Sequence, residues 1–277
     1  MSAQKVLHID AFTRRLFGGN PAAVMPLPHW LPDATLQALA AENNLSETAF
    51  LVGEQGAYHL RWFTPTQEVD FCGHATLASA WALQNVLGET ASELKFQTRV
   101  GELKAVRGAD GAVVLDFPRI DPVASVRTVA ELETLLGVSV QEVFTVTAGN
   151  FSVFAVLESE AAVRTFVPDF SRLGDIDDLV ITAQADETGA DADTGADFVS
   201  RCFAPGMGIP EDPVTGSTHS TLAPYWAGKL GRKALRALQV SRRGGELLCE
   251  VGAQRVQVIG HAVLYSEGTV HLPEEPA

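Results

Sequence analysis

Three landmarks occur in the same order in each half of the 277-residue chain, and that repetition restricts it to folds made of two like units. The first is a Gly-Asn turn ahead of a strand-like run, "GNPAAVM" from Gly19 and "GNFSVFA" from Gly149. The second pairs "YHLRWFTP" (Tyr58 to Pro65) with "FVSRCFAP" (Phe198 to Pro205), which share aromatic-x-x-Arg-x-Phe-x-Pro and read as strands stopped by proline. The third pairs "HATLASAW" (His74 to Trp81) with "HSTLAPYW" (His219 to Trp226), each following a glycine, Gly73 or Gly216. The offset between halves grows from 130 at the glycines to 140 at the arginines and 145 at the tryptophans, as in a duplication that has gained loop residues. Chance alignment is the alternative.

The third landmark opens the segment "ATLASAWALQNVLG", which is apolar or small at nearly every position and lacks the polar stripe of a surface helix, so it must be buried all round. Around it lie short strand-like runs such as "KVLHIDAF", "AVVLDF" and "FTVTAGNFSVFAVL". The expected fold is α+β, with two pseudo-symmetric domains, each a curved mixed sheet wrapped around a central buried helix. The prolines of "DFPRIDPVAS" place the boundary near residue 118, giving domains 1–118 and 119–264. The final strand, "HAVLYSEGTVHL", can return to either domain, residues 265–277 being offered to the first. A cleft is expected where the two Gly-led helix starts converge, and the site is expected there.

The formal charge of −14, from 34 acidic and 20 basic residues, repels phosphate backbones and anionic membrane surfaces. No long uncharged apolar run is present to span a bilayer. Nucleic acid and membrane are therefore excluded as expected partners. Cys72, Cys202 and Cys249 are odd in number and lack CxxC spacing, which argues against a disulfide framework or structural zinc and for a reducing cytoplasm. The start "MSAQKVLHIDAF" has no apolar signal region and reads as mature from Met1. The acidic, Gly-rich "QADETGADADTGADF" fails the EF-hand pattern, with Ala196 at the sixth position, and reads as a solvated hairpin tip.

Glu47, in "AENNLSETAFLV", sits between a helix-like stretch from Asp33 and a strand beginning near Thr48. Desolvation moves a carboxyl toward the pKa of roughly 6–7 that suits a general acid/base near neutrality, although Ser46 and Glu47 equally suit a turn cap. His74 follows Gly73 at the start of the buried helix, where the positive end of the helix dipole disfavours imidazolium; it is expected neutral, as a catalytic group or a satisfied interior histidine. In "GIPEDPVTGSTHST" Pro210, Pro213 and Gly216 shape a rigid turn. Asp212 there suits an ammonium or hydroxyl, and the Gly216 and Ser217 N–H groups suit a carboxylate; plain helix capping is the alternative. There is no HExxH, Walker loop, GxSxG elbow or GxGxxG, so neither metal nor cofactor is implied.

Together "HIDAFTRRLFGGNPAAV", "NNLSETAFL", "RWFTPTQEVDFCGHATLASAW" and "GIPEDPVTGSTHS" resemble the PhzF-like family of phenazine biosynthesis isomerases, a likeness spanning most of the chain. The resemblance implies the two-domain diaminopimelate epimerase fold and cofactor-independent isomerisation of trans-2,3-dihydro-3-hydroxyanthranilate. One glutamate takes a carbon-bound proton and returns it elsewhere on the ring; that glutamate falls on Glu47. The family's histidine falls on His74, and its acid-turn residues on Asp212 and Ser217, which hold substrate polar groups. Asn20, Cys72, Gly73 and Gly216 are carried as further substrate-binding positions. A homodimer is implied by analogy. The related epimerases use two facing cysteines; Cys72 stands at the first position, while the second is missing from "EDPVTGS". The Gly-His pair here also lacks the proline that can follow it in phenazine-pathway members.

Three readings remain at the level of sequence. The first is an isomerase shifting a proton on a small carboxylate-bearing substrate through Glu47. The second is an amino-acid epimerase or racemase using Glu47 and Cys72, and the third a non-catalytic binding protein.

Overall fold

A computed structural model describes residues 2–148, 151–173, 176–186 and 195–272. Contacts between Cα atoms divide the chain into two compact units, residues 1–116 with 259–277, and residues 117–258. The first division falls at 116/117 instead of 118/119 and the second at 258/259 instead of 264/265.

The first unit runs β1 (Ser2–Ala11), β2 (Asn20–Pro26), α1 (Asp33–Asn43), β3 (Glu47–Glu54), β4 (Ala57–Phe63), β5 (Glu68–Val69), α2 (Gly73–Asn85), β6 (Glu93–Thr98), β7 (Gly101–Arg107) and β8 (Val113–Pro118). β2 pairs in parallel with β3 and β4 with β6, the remaining pairings β1–β2, β3–β4, β4–β5, β6–β7 and β7–β8 being antiparallel. α2 packs against β1, β2, β3 and β7 and is buried along almost its whole length, as its lack of a polar face requires. Its buried hydroxyls are satisfied inside the helix: Thr76 Oγ1 donates to the Cys72 carbonyl at 2.6 Å and Ser79 Oγ to that of Ala75 at 2.7 Å. The other face of the sheet carries α1, whose Leu36, Leu39 and Ala40 pack with Met25, Phe50 and Phe63.

The second unit runs β9 (Val123–Ala124), α3 (Val129–Leu136), β10 (Val140–Thr145), β11 (Phe154–Leu157), α4 (Glu160–Thr165), β12 (Leu179–Gln184), β13 (Phe198–Ala204), β14 (Ile209–Asp212), α5 (His219–Leu230), β15 (Ala234–Gln239) and β16 (Gly245–Val251), then turns into β17 (Arg255–Gly260). The last strand, β18 (Ala262–Leu272), pairs antiparallel with β1 in the first unit. β11–β12 and β13–β15 are parallel; β10–β11, β12–β13, β13–β14 and β15–β16 are antiparallel. This is the pairing scheme of the first unit in the same order, so the chain has two pseudo-symmetric mixed sheets, each with a buried helix. α3 and α4 supply an outer layer, Leu132, Leu136, Val163 and Phe166 packing on Ala155, Leu157, Leu179, Ile181 and Phe203.

The repeated Arg-x-Phe landmark performs the same task twice. The Arg61 guanidinium lies 5.1 Å from the Phe63 ring and forks onto both Glu68 oxygens at 2.7 Å. The Arg201 guanidinium lies 5.0 Å from the Phe203 ring and forks onto Glu211 at 2.7 and 3.0 Å. Each pair fixes the strand that precedes the site-bearing turn.

α5 departs from α2 at Pro224, which stands inside the helix and has no N–H to give the Ser220 carbonyl four residues back. The Ile120 N–H takes that carbonyl instead, at 3.0 Å. The turn ahead of α5 ends in a 3-10 turn, Gly216–Thr218, and the α-helix starts at His219. With the histidines aligned, Ser217 and not Gly216 stands where Cys72 does. The second Gly-Asn landmark, Gly149-Asn150, and most of the acidic 184–198 segment lie outside the described residues.

Candidate active site

Four side chains of the first unit meet where two strands and a helix begin. Asn20 opens β2 after Gly19, which adopts φ +62°; a Cβ there would sit 2.0 Å from the Ala11 carbonyl oxygen, so only glycine makes this turn. α1 ends on Asn44 in the left-handed conformation, reversing the chain so that β3 begins at Glu47 beside Ala22 of β2. Because Phe50 and Val52 pack on the α1 side, the alternation of β3 turns Glu47, Ala49 and Leu51 toward the α2 side. There α2 presents His74 one residue inside its start, with Cys72 just before it.

Glu47 Oε2 lies 3.1 Å from His74 Nε2. The contact is that of an ion pair, and neither of these two buried atoms meets the geometry of a hydrogen bond with any group. On the other side of the ring, His74 Nδ1 lies 3.1 Å from Asn20 Nδ2 and 3.5 Å from Cys72 Sγ. Asn20 is fully buried and His74 nearly so, whereas the Glu47 side chain keeps 12% of its surface exposed. The carboxylate is thus the member of the group that a small molecule can reach.

The expectation of a neutral His74 needs correction. Burial works against the imidazolium, yet the acidic groups beside the ring, Cys72 and Glu47, outweigh it and hold the His74 pKa well above its ordinary value. Burial, helped by the Glu47 charge, pushes the Cys72 thiol up to about 11. A thiol protonated at neutral pH carries no charge, so the Glu47 carboxylate is the partner that favours the imidazolium. Glu47, Cys72 and His74 also lie close enough together to share a cation. The sulfur, however, contacts Nδ1 and the carboxylate Nε2, whereas a single ion would take one ring nitrogen.

The other expected residues belong to the second unit. Asp212 ends β14, and Thr215 Oγ1 donates to its carboxylate. Gln239 of β15, fully buried, pins this turn with both ends of its amide: Nε2 donates to the Asp212 carbonyl and Oε1 accepts from the Thr215 N–H, both at 2.8 Å. Ser217 is more accessible than Thr215, Gly216 or Thr218 around it. Thr218, the residue before α5, makes no side-chain cap bond. His219, fully buried, is 3.0 Å through Nδ1 from the Thr215 carbonyl, and burial lowers its pKa to about 4.

Sequence reasoning missed Gln239, Thr215 and Asp178. Thr48 pairs with Phe63, and Leu179 with Phe203, so one residue further back Asp178 stands where Glu47 does. Its carboxylate is taken by the Ser152 hydroxyl, at 3.1 and 3.2 Å, and by the Val153 N–H at 3.3 Å. The repeated plan was the available signal, but it shows only through strand registers.

The profile of the family described as phenazine biosynthesis-like protein matches residues 9–268. An isomerase of Pseudomonas aeruginosa whose reaction is uncharacterized is 45% identical, over 96% of this chain and 98% of that protein. The crystal structure of a PhzF-family phenazine biosynthesis protein from Enterococcus faecalis superposes with a TM-score of 0.89 at 42% identity, covering 98% of this chain and all of that one. A hydroxyproline epimerase from Agrobacterium vitis shares the fold alone, with a TM-score of 0.57 at 13% identity, over 98% of this chain and 91% of that one. Among the described residues no helix is long and apolar enough to cross a membrane. By its sequence, its duplicated sheet-and-helix plan and its structural likeness, this chain belongs to the PhzF-like, phenazine biosynthesis-like protein family.

Proposed function

We propose that the protein is a cofactor-independent isomerase that moves a proton between two carbons of a small carboxylate-bearing substrate, similar to trans-2,3-dihydro-3-hydroxyanthranilate. Glu47 takes the proton from carbon, the electron pair shifts along the conjugated system, and the resulting carboxylic acid returns the same proton to a second carbon. One side chain suffices because donor and acceptor carbons belong to one bound molecule. His74 offers its Nε2 proton to a substrate oxygen or to Glu47 as charge moves. Asp212, Gly216 and Ser217 keep the role of holding substrate polar groups that the family likeness gives them.

The observation that carries this reading is the close approach of Glu47 Oε2 and His74 Nε2, both buried and neither hydrogen-bonded. Each atom thus keeps hydrogen-bonding capacity that no protein group uses, and a substrate that engages both atoms fills it. The test is incubation with dihydroaromatic and amino acids in D₂O. Wild-type protein is expected to rearrange a conjugated substrate or wash solvent deuterium into it, and Glu47→Gln to lose on the order of 10³-fold in that rate. Full turnover in Glu47→Gln, or no exchange and no rearrangement by wild type across the panel, would overturn the assignment.

A second reading, epimerisation at an amino-acid α-carbon, draws on Cys72, whose protonated thiol lies against the same imidazole. It requires Cys72 to deliver a proton on the face opposite Glu47, and therefore makes Cys72 indispensable.

A further inference from the structure

Nδ1 of His74 is approached by two groups whose protons are available to it. The nearer is the Asn20 side-chain amide, whose NH₂ is only a donor; the other is the Cys72 thiol, a weak donor while protonated. Two donors converging on one ring nitrogen require that nitrogen to present its lone pair. In neutral imidazole the proton then resides on the opposite nitrogen, Nε2, the one that faces Glu47. The reverse tautomer would set N–H against N–H at Asn20 and a bare lone pair against a carboxylate oxygen. Local structure holds Asn20 in place: Gly19 fixes the turn before it, and the amide is fully buried on the first residue of β2.

We propose that Asn20, seconded by Cys72, is a positioning residue that holds the neutral form of His74 in the tautomer carrying its proton on Nε2. This rests on the reading of Glu47 and His74 as the reacting pair for its purpose, though not for its measurement. The consequence for the reaction is polarity: the site shows substrate a proton acceptor at Glu47 and a donor at His74, never two acceptors. Asn20 also opposes the imidazolium, because a proton on Nδ1 would meet the amide donor. Cys72 and Glu47 are the titratable groups against the ring, and each favours the charge when ionised.

The test is two-bond ¹H–¹⁵N correlation on protein labelled with ¹⁵N-histidine, followed upward in pH until His74 is neutral. Its signals are identified as those lost in His74→Gln. Wild type is expected to show a bare Nδ1 and a protonated Nε2. Asn20→Asp, which keeps the shape and replaces the donor by an acceptor, is expected to move the neutral-form proton to Nδ1 and to raise the His74 titration by about one pH unit. Cys72→Ser, retaining a donor, is expected to leave the tautomer in place. A wild-type neutral ring protonated on Nδ1 overturns the proposal without any variant, and so does an Asn20→Asp protein with the wild-type pattern. None of these readouts needs turnover. If the spectra are as expected while Glu47→Gln stays fully active, the isomerase reading fails and the positioning role stands. If Glu47→Gln is inactive while the neutral ring is protonated on Nδ1, the positioning role fails and the isomerase reading stands.

Discussion

His74 and His219 stand at matched positions, at the start of α2 and of α5, and their rings titrate in opposite directions. Both are buried, which disfavours charge in each. His74 has a carboxylate 3.1 Å away and is raised; His219 has the Thr215 carbonyl and the Thr218 hydroxyl beside Nδ1, both uncharged, and burial lowers it to about 4. Asp178, the counterpart of Glu47, is held by Ser152 and Val153 instead. Duplication thus supplied two similar cradles, and one carboxylate's placement made them chemically unlike.

The pH dependence of stability follows from these directions. Between pH 4 and 6.5 the unfolded chain binds a proton at His219 that the folded chain refuses, so stability falls as pH drops through that window and levels below it. The full effect is on the order of 3 kcal/mol. For His74 the sign is opposite: its contribution is complete below 6.5 and is lost as pH rises through the elevated folded value. Urea denaturation from pH 4 to 9 is expected to show a flattened acid limb in His219→Gln and a flattened alkaline limb in His74→Gln.

Cys72→Ala separates the two enzymatic readings. The proton-shuttle reading expects deuterium exchange within about threefold of wild type, with a stability loss of about 1 kcal/mol for the vacated sulfur. Abolished exchange with retained fold would select the epimerase reading instead. Thiol reagents at neutral pH are expected to react slowly at all three cysteines, since each is buried and its thiol pushed up to between about 11 and about 12.

Arg61→Lys is expected to cost about 1–2 kcal/mol, although it preserves charge. Lysine cannot reproduce the fork onto Glu68 or the guanidinium contact with the Phe63 ring, and the largely buried Glu68 keeps only one bond from position 61 beside the one it accepts from Arg99. A thermal-shift cycle with Glu68→Gln measures the coupling. Near-additive losses would show that the pair contributes little.

The Ile120 N–H and the Ser220 carbonyl offer a second cycle. Ile120→Pro removes the donor and leaves that carbonyl unpaired, at a cost of about 1–3 kcal/mol. Adding Pro224→Ala returns a helical N–H to the same carbonyl and is expected to recover part of the loss. Denaturant midpoints of the two single variants and the double variant check this, and no recovery would mean that Ile120 acts otherwise.

What was legible in the sequence was whatever repeated or alternated. The Arg-x-Phe and His-x-Thr-Leu-Ala landmarks marked β4, β13 and the two buried helices because their side chains face the same tasks twice. Glu47 stood out as a carboxylate between apolar runs, and Asn20 as half of a repeated turn. Spacing did not bring them together: Asn20 and His74 are 54 positions apart and meet only through the parallel pairing of β2 with β3 and the packing of α2 on both. The outer layer of the second unit was also hidden, whereas α1 of the first showed as a helix-like stretch from Asp33. α4 has six residues, fewer than two helical turns, and α3 carried an unread start and stop in Thr128, whose side chain accepts the Glu131 N–H, and Gly137 at the cap. The charge preference of His74 escaped a reading that weighed the helix start without its long-range carboxylate.

The bond from Ile120 to Ser220 makes the connector after β8 a structural member of α5. A permuted chain with its ends opened between Arg119 and Asp121 would retain every side chain, yet it would sever the backbone brace that lets a proline sit inside that helix. Cutting sites for circular permutation or reporter insertion are better sought elsewhere, since this stretch of loop serves as mortar.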